Sequence, residues 1–300
     1  MSQVFQHLRG LLGAPGGTGV TDGELLERFA SHRDEVAFKE LLRRHGAMVL
    51  SVCRSLLRQT QDAEDAFQAT FLVLVRRAGS LKKSACLGNW LYGVACRTAW
   101  SARRSSARRQ ARERRLAMML TNESGEAATT PELQAVLCEE VERLPDKYRA
   151  PLVLCYFHGK TNEEAARRLG CPKGTVLSRL ARARDKLRSR LVKRGVTLSA
   201  AGLTTVLTNQ VVIAAPPAAL LASTIKAASL VATGNAPAAG LAVTALTEGV
   251  LQAMSREKLR NATIVVMCLL MAATGLTLVW TGAAAYEGLL TAQSAKSNAT

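Results

Sequence analysis

From Leu25 to Leu191 apolar residues return every three or four positions, and nowhere before residue 195 do apolar and polar residues alternate for the length of a strand. That spacing puts one apolar stripe on each of a series of helices and leaves no half-buried sheet face. Leu25, Phe29, Val36, Leu41, Leu42, Val49, Val52, Leu56 and Leu57 form the first run. Ala63, Ala66, Phe67, Phe71 and Leu74 continue it, and Leu91, Val94, Ala95 and Thr98 share a stripe between Trp90 and Trp100. A second unit begins at Glu132 with Leu133, Val136, Leu137 and Val141, pauses at Leu144-Pro145 and restarts from Arg149 to Tyr156. The fold class is therefore all-α. With 300 residues, 48% of them apolar, the chain has room for two cored domains.

Charge separates those domains from the rest. Lys and Arg number 40 against 23 acids, a net +17, and residues 195–300 hold only five of the bases. Arg76 to Arg115 carries twelve bases and one acid, and Lys160 to Arg194 twelve bases and three acids. Asp22 to Asp65 is the acidic counterpart, with nine acids and seven bases. Two cationic surfaces behind an acidic one point to a polyanionic partner. The seven cysteines are scattered with no Cys-x-x-Cys pair, and the four histidines do not cluster, so a disulfide framework and a zinc ribbon are both disfavoured. No phosphate-binding glycine loop, metal-ligand spacing or nucleophile–base pair occurs, so neither an enzyme nor a cofactor is expected. The N-terminus lacks a basic-then-apolar signal segment, and the expected compartment is the cytoplasm.

The most specific local pattern lies between 161 and 194. Thr161-Asn162-Glu163-Glu164 is a capping box, Ala165, Ala166 and Leu169 supply a short apolar face, and Gly170-Cys171-Pro172 stops one helix and starts the next. Val176, Leu180, Ala183, Leu187 and Leu191 line one side of that next helix; Lys173, Ser178, Arg179, Arg182 and Arg188 line the other. A short capped helix, a three-residue turn and a longer basic helix form a helix-turn-helix, whose second helix enters the major groove by its N-terminal end.

Gly170 to Val176, followed by Ser178-Arg179-Leu180 and Arg182-Ala183-Arg184, resembles region 4 of the extracytoplasmic-function (ECF) RNA polymerase sigma factors. Asp62 to Phe71, with Trp90-Leu91-Tyr92-Gly93-Val94-Ala95 downstream, resembles their region 2. The resemblance covers roughly residues 20–194 and implies transcription initiation through core RNA polymerase (its β′ clamp helices and β flap) and promoter DNA, with an anti-sigma factor as a further candidate partner. It assigns polymerase docking to Asp62, Glu64, Asp65, Gln68 and Phe71. Opening and reading of the −10 element falls on Lys82, Lys83, Trp90, Tyr92, Arg97, Arg103 and Arg104, cations for phosphate and aromatics for unpaired bases. Reading of the −35 element falls on Lys173, Thr175, Ser178, Arg179 and Arg182, where arginine suits guanine O6 and N7. Arg97 stands where relatives commonly carry Asn, and Leu177 and Ala181 replace longer groove-facing side chains, so the promoter sequence is not implied.

The organisation expected from all this is a tail over 1–20, region 2 over 21–104, a flexible linker over 105–130 and region 4 over 131–194. An Ala/Thr-rich extension over 195–260 is expected to be interfacial or loosely helical. Residues 261–286 are 26 uncharged positions, long enough as a helix to cross a hydrocarbon core of about 30 Å. Arg256, Lys258 and Arg260 precede them, which places that side in the cytoplasm, and 287–300 is a short tail. The expectation is a single-pass anchor at the cytoplasmic face of the inner membrane. Two alternatives stay open: a membrane-anchored helix-turn-helix regulator acting without polymerase, and a membrane protein whose basic half binds anionic lipid.

Overall fold

The computed structural model describes residues 20–81, 87–118, 131–196, 198–208, 215–232, 240–256 and 263. The chain divides into two compact units, Met1–Val250 and Leu251–Thr300. Every regular element among the described residues is a helix.

In the first unit, α1 (Asp22–His32) and α2 (Glu35–Leu56) are separate helices rather than one. The break is written in two residues: Arg33 takes a left-handed conformation (φ 55°), and the Asp34 carboxylate accepts from the backbone N–H of Val36 and Ala37 to start α2. Thr21 and Glu24 form a complete capping box on α1. α3 (Thr60–Arg77) and α4 (Leu87–Met118) complete a bundle with α2. Its core carries Phe29 on Phe38 (ring centroids 4.9 Å apart) and Phe67 on Phe71 (5.0 Å). Where α3 meets α4, the hydroxyls of Thr70 and Thr98 lie 2.8 Å apart, each also within hydrogen-bond distance of a carbonyl of its own helix. Two buried polar groups are thereby satisfied inside an apolar contact.

α4 is longer than expected, running as helix from 105 to 118 through the first half of the proposed linker. Its Arg- and Ala-rich sequence is a good helix former, and low hydrophobicity alone does not unwind it. The remainder of the linker, 119–130, lies outside the described residues.

α5 (Pro131–Glu142), α6 (Asp146–Leu152, continuing as a wider turn over Val153–Phe157), α7 (Asn162–Leu169) and α8 (Lys173–Lys193) build the second bundle. The expected stripe of α8, from Val176 to Leu191, is the buried face observed. Glu140, only 3% exposed, is clasped by Arg143 (3.2 Å), Arg194 (2.9 Å) and Arg190 (3.6 Å), tying α5 to the end of α8. Part of the basic block is thus spent on internal pairing.

The extension is ordered helix where it is described. α9 (Ala200–Thr208) packs near the wide turn and α8, and α10 (Ala218–Ala232) packs on α3 and α2. α11 covers 241–256, and its residues to Val250 close the first unit. Of the segment over 195–260, expected to be interfacial or loosely helical, the described part packs as helix: Leu220, Thr224, Ala227, Ala228 and Val231 are buried, because small side chains let α10 lie close on a neighbouring helix. No helix among the described residues is long and apolar enough to cross a membrane. The proposed anchor, 261–286, lies outside them apart from Thr263.

Candidate polymerase and nucleic-acid interfaces

The acidic residues that are candidates for polymerase docking stand on α3. Asp62, Glu64, Asp65 and Gln68 are all partly exposed. Asp62 lies 3.6 Å from Arg109 on α4, and Asp65 accepts from Gln61 at 3.2 Å. Burial, with some repulsion from Asp62, pushes the Asp65 carboxyl above the ordinary range. Gln68 donates from Nε2 to Ser223 Oγ on α10 at 2.9 Å. Phe71 is different: fully buried against Phe67, with Phe38 edge-on at 6.3 Å, it belongs to the core and offers no surface to a partner. It lies on the inner side of α3, three residues past Gln68, where the stripe turns inward.

The −10 candidates are spread along α4, except Lys82 and Lys83, which lie outside the described residues. Trp90 is half-buried against the core. Tyr92 is fully buried: its ring packs on Phe157 (4.6 Å) and its hydroxyl donates to Cys138 Sγ at 3.5 Å. In this conformation it cannot stack on a base, because α5 and the wide turn occupy its face. Arg97 is ion-paired with Glu142 on α5. Arg149 Nε donates to Asn89 Oδ1 at 3.0 Å and Nη1 to the Glu142 carbonyl at 2.8 Å, extending the seam. Arg103 is half-buried and Arg104 exposed. The side of α4 that carries the −10 candidates Tyr92 and Arg97 is therefore turned partly against the second bundle.

A third contact joins the bundles at His45 and His158. Their rings meet edge to face at 5.2 Å, and His45 Nε2 lies 3.0 Å from Asp22 Oδ2. Burial works against the Asp22 charge, yet hydrogen bonds from His45 and Arg44 hold its carboxyl well below the usual carboxylate range. Burial, with repulsion from His45 and Arg168, holds His158 well below the usual imidazole range. Gly88 is required beside it, since a Cβ there would sit 2.6 Å from His158 Nε2.

The −35 candidates gather at the N-terminal end of α8. The preceding helix closes as the sequence indicates: Thr161 Oγ1 accepts from Glu164 N–H at 3.2 Å, Glu164 reaches back to Thr161 N–H at 2.8 Å, and Gly170 takes φ 61°. This turn sets the angle at which α8 is presented. Lys173, Ser178 and Arg182 are exposed; Thr175 and Arg179 are half-buried. Ser178 Oγ donates to the Thr175 carbonyl at 3.0 Å, and Arg179 Nη1 leans to 3.9 Å from Cys171 Sγ. Lys173 pairs with Glu163 at 2.6 Å, an exposed pair that water and salt screen, so phosphate can displace it readily. Leu177, 45% exposed, is an apolar side chain on the same outer surface. The arrangement presents donors and cations on one convex helix end and no reactive constellation; no group of His, Cys, Asp and Glu able to hold a metal occurs among the described residues.

Sequence reasoning missed the contacts that close the two bundles. Glu142, His158 and Asn89 carry no local motif; only their partners, distant in sequence, give them a role.

A helical bundle followed by a helix-turn-helix with a basic outer side is a form of DNA-binding protein, and comparison with known proteins specifies the class. Residues 41–109 match the family Sigma-70 region 2, and residues 137–187 match Sigma-70, region 4. The chain is 30% identical over 167 residues to the ECF RNA polymerase sigma factor SigM of Mycobacterium tuberculosis, covering 56% of this chain and 83% of that one. It is also 30% identical over 179 residues to the ECF RNA polymerase sigma-E factor of Escherichia coli, covering 56% and 93%. A solved co-crystal of the sigma factor RpoE with the anti-sigma factor NepR from Bartonella quintana is 25% identical, covers 51% of this chain and 96% of that one, and has a TM-score of 0.25. The chain belongs to the ECF family of RNA polymerase sigma factors. Helices α9 to α11 lie beyond both family matches.

Proposed function

We propose that the first bundle docks on core RNA polymerase through the exposed face of α3 and engages the −10 element through α4, while α8 reads the −35 element. The observation that carries this reading is the capped turn before α8: it presents Lys173, Ser178 and Arg182 together on the outer face of a helix whose other side is wholly committed to the core. Of the docking residues, Asp62, Glu64, Asp65 and Gln68 would meet polymerase, with Phe71 supporting them from beneath. An anti-sigma factor that competes for these surfaces is part of the proposal, by analogy with the named complex of a related protein. Run-off transcription with core polymerase on a promoter library tests the reading; transcripts that start at one promoter class, and only when this chain is added, are expected. A chain that binds duplex DNA but never associates with core polymerase would instead favour a stand-alone regulator.

We further propose that residues 261–286 tether the factor to the inner membrane. The support is their 26 uncharged residues behind Arg256, Lys258 and Arg260. Full-length protein should pellet with membranes and resist carbonate extraction. Full-length protein that stays in the supernatant without detergent overturns the tether.

A further inference from the structure

We propose that α10 is an intrachain competitor for the polymerase-docking face, holding the free factor in a state that core enzyme must open. The proposal rests on the reading of α3 as the docking helix. Gln68, a candidate docking residue, spends its amide N–H on Ser223 of α10, 155 positions away in sequence. Around that bond α10 buries Leu220, Thr224, Ala227, Ala228 and Val231, lying on α3 and on the neighbouring α2. Pro216, just before α10, approaches α2 so closely that a Cβ on Gly46 would meet its ring at 3.2 Å. Glu248 of α11 lies 3.2 Å from Arg76 at the far end of α3, so the covering chain is held beyond α10 as well.

Two features make the contact suited to exchange. First, α10 belongs to neither sigma region, since the family matches end at residue 187. Second, its buried face is built from alanines and a threonine as well as Leu220 and Val231, and the Thr224 hydroxyl is already satisfied by the Leu220 carbonyl at 2.6 Å. Small side chains permit close approach but bury less apolar area than leucines, and burial scales with area. Leaving α3 therefore strands no polar side chain of α10, and Gln68 and Ser223 can both turn to water. A polymerase surface that takes hold of Gln68 and its neighbours must occupy the space α10 fills, so the two states exclude each other.

The test uses full-length protein and purified core polymerase. Ala228→Arg places a long cation at a position 1% exposed and should expel α10; Ala222→Arg adds the same charge on the exposed side of the helix. Ala228→Arg is expected to bind core enzyme about tenfold or more tightly than the unaltered chain, as when a dominant closed state is removed, and Ala222→Arg to match the unaltered chain. Hydrogen exchange on the unaltered chain provides the second measurement. On addition of core enzyme, α10 should lose protection while the α8 core residues keep theirs. Equal core affinity for all three proteins, or undiminished α10 protection in the assembled complex, overturns the competitor and leaves the docking helix standing. Absence of core binding by all three overturns the docking reading itself, and the competitor with it.

Discussion

Arg182 stands exposed on the outer face of α8, one turn beyond Ser178, where a guanidinium can reach a base edge. If it pairs with a guanine, Arg182→Ala should cost about 1–3 kcal/mol and relax preference at one −35 position. Arg108, exposed on the extension of α4, has no such helix end behind it. Arg108→Ala should weaken binding to all sequences alike and reduce the slope of log K against log salt by about one. Measuring both variants across a promoter library and a salt series separates the two roles; an unchanged −35 preference in Arg182→Ala would remove it from the groove. His158 makes a different kind of prediction. Because burial holds its folded-state affinity for protons below that of the unfolded chain, the unfolded state binds more protons as the pH falls below about 6.5. Stability should be full above that pH and decline below it, in the direction that Asp22 reinforces at lower pH still. Urea melts between pH 7.5 and 5.5 should show the decline, and His158→Leu should flatten it.

At the scale of elements, the two capping boxes invite comparison. Thr21 starts α1 at the edge of the first bundle, while Thr161 starts α7 and, through the Gly170 turn, sets the approach of α8. Each Thr→Ala change should cost about 1 kcal/mol of stability, within a range of about 0.5–2. Only Thr161→Ala should also weaken −35 binding, because only there does the cap support the helix proposed to read that element. Equal effects on DNA binding from both changes would show that the turn does not control α8. These caps, and the buried stripe of α8, were legible in the sequence because a cap and a stripe are local patterns. The break at Arg33 and Asp34 was legible only in part. Asp34 is an ordinary N-cap signal, but the apolar spacing runs across it without interruption. The helical run of α4 past residue 104 was missed for the opposite reason: a helix with no apolar stripe gives periodicity nothing to detect.

Within the first unit, several candidate surfaces are covered. Arg97 and Tyr92, candidates for −10 DNA, face Glu142, Cys138 and Phe157 of the second bundle, and α10 lies on α3. Glu142→Gln weakens the hold on Arg97 without removing its neighbour and should raise affinity for a single-stranded −10 oligonucleotide several-fold, in keeping with the modest worth of a half-buried ion pair. Unchanged affinity, measured by fluorescence anisotropy on the full chain, would show that the seam does not restrain α4. The sequence by itself determined the helical class, the apolar stripe and basic outer side of α8, and the caps before it, because each depends on residues within a turn or two of one another. Which surfaces are covered was decided only by the tertiary structure. Phe71 already lies on the apolar stripe of α3, whereas Tyr92 and Gln68 look equally available along the chain. Their neighbours come from residues as far as 155 positions away, and such contacts leave no period or motif in the sequence because neither partner signals the other until the chain has folded.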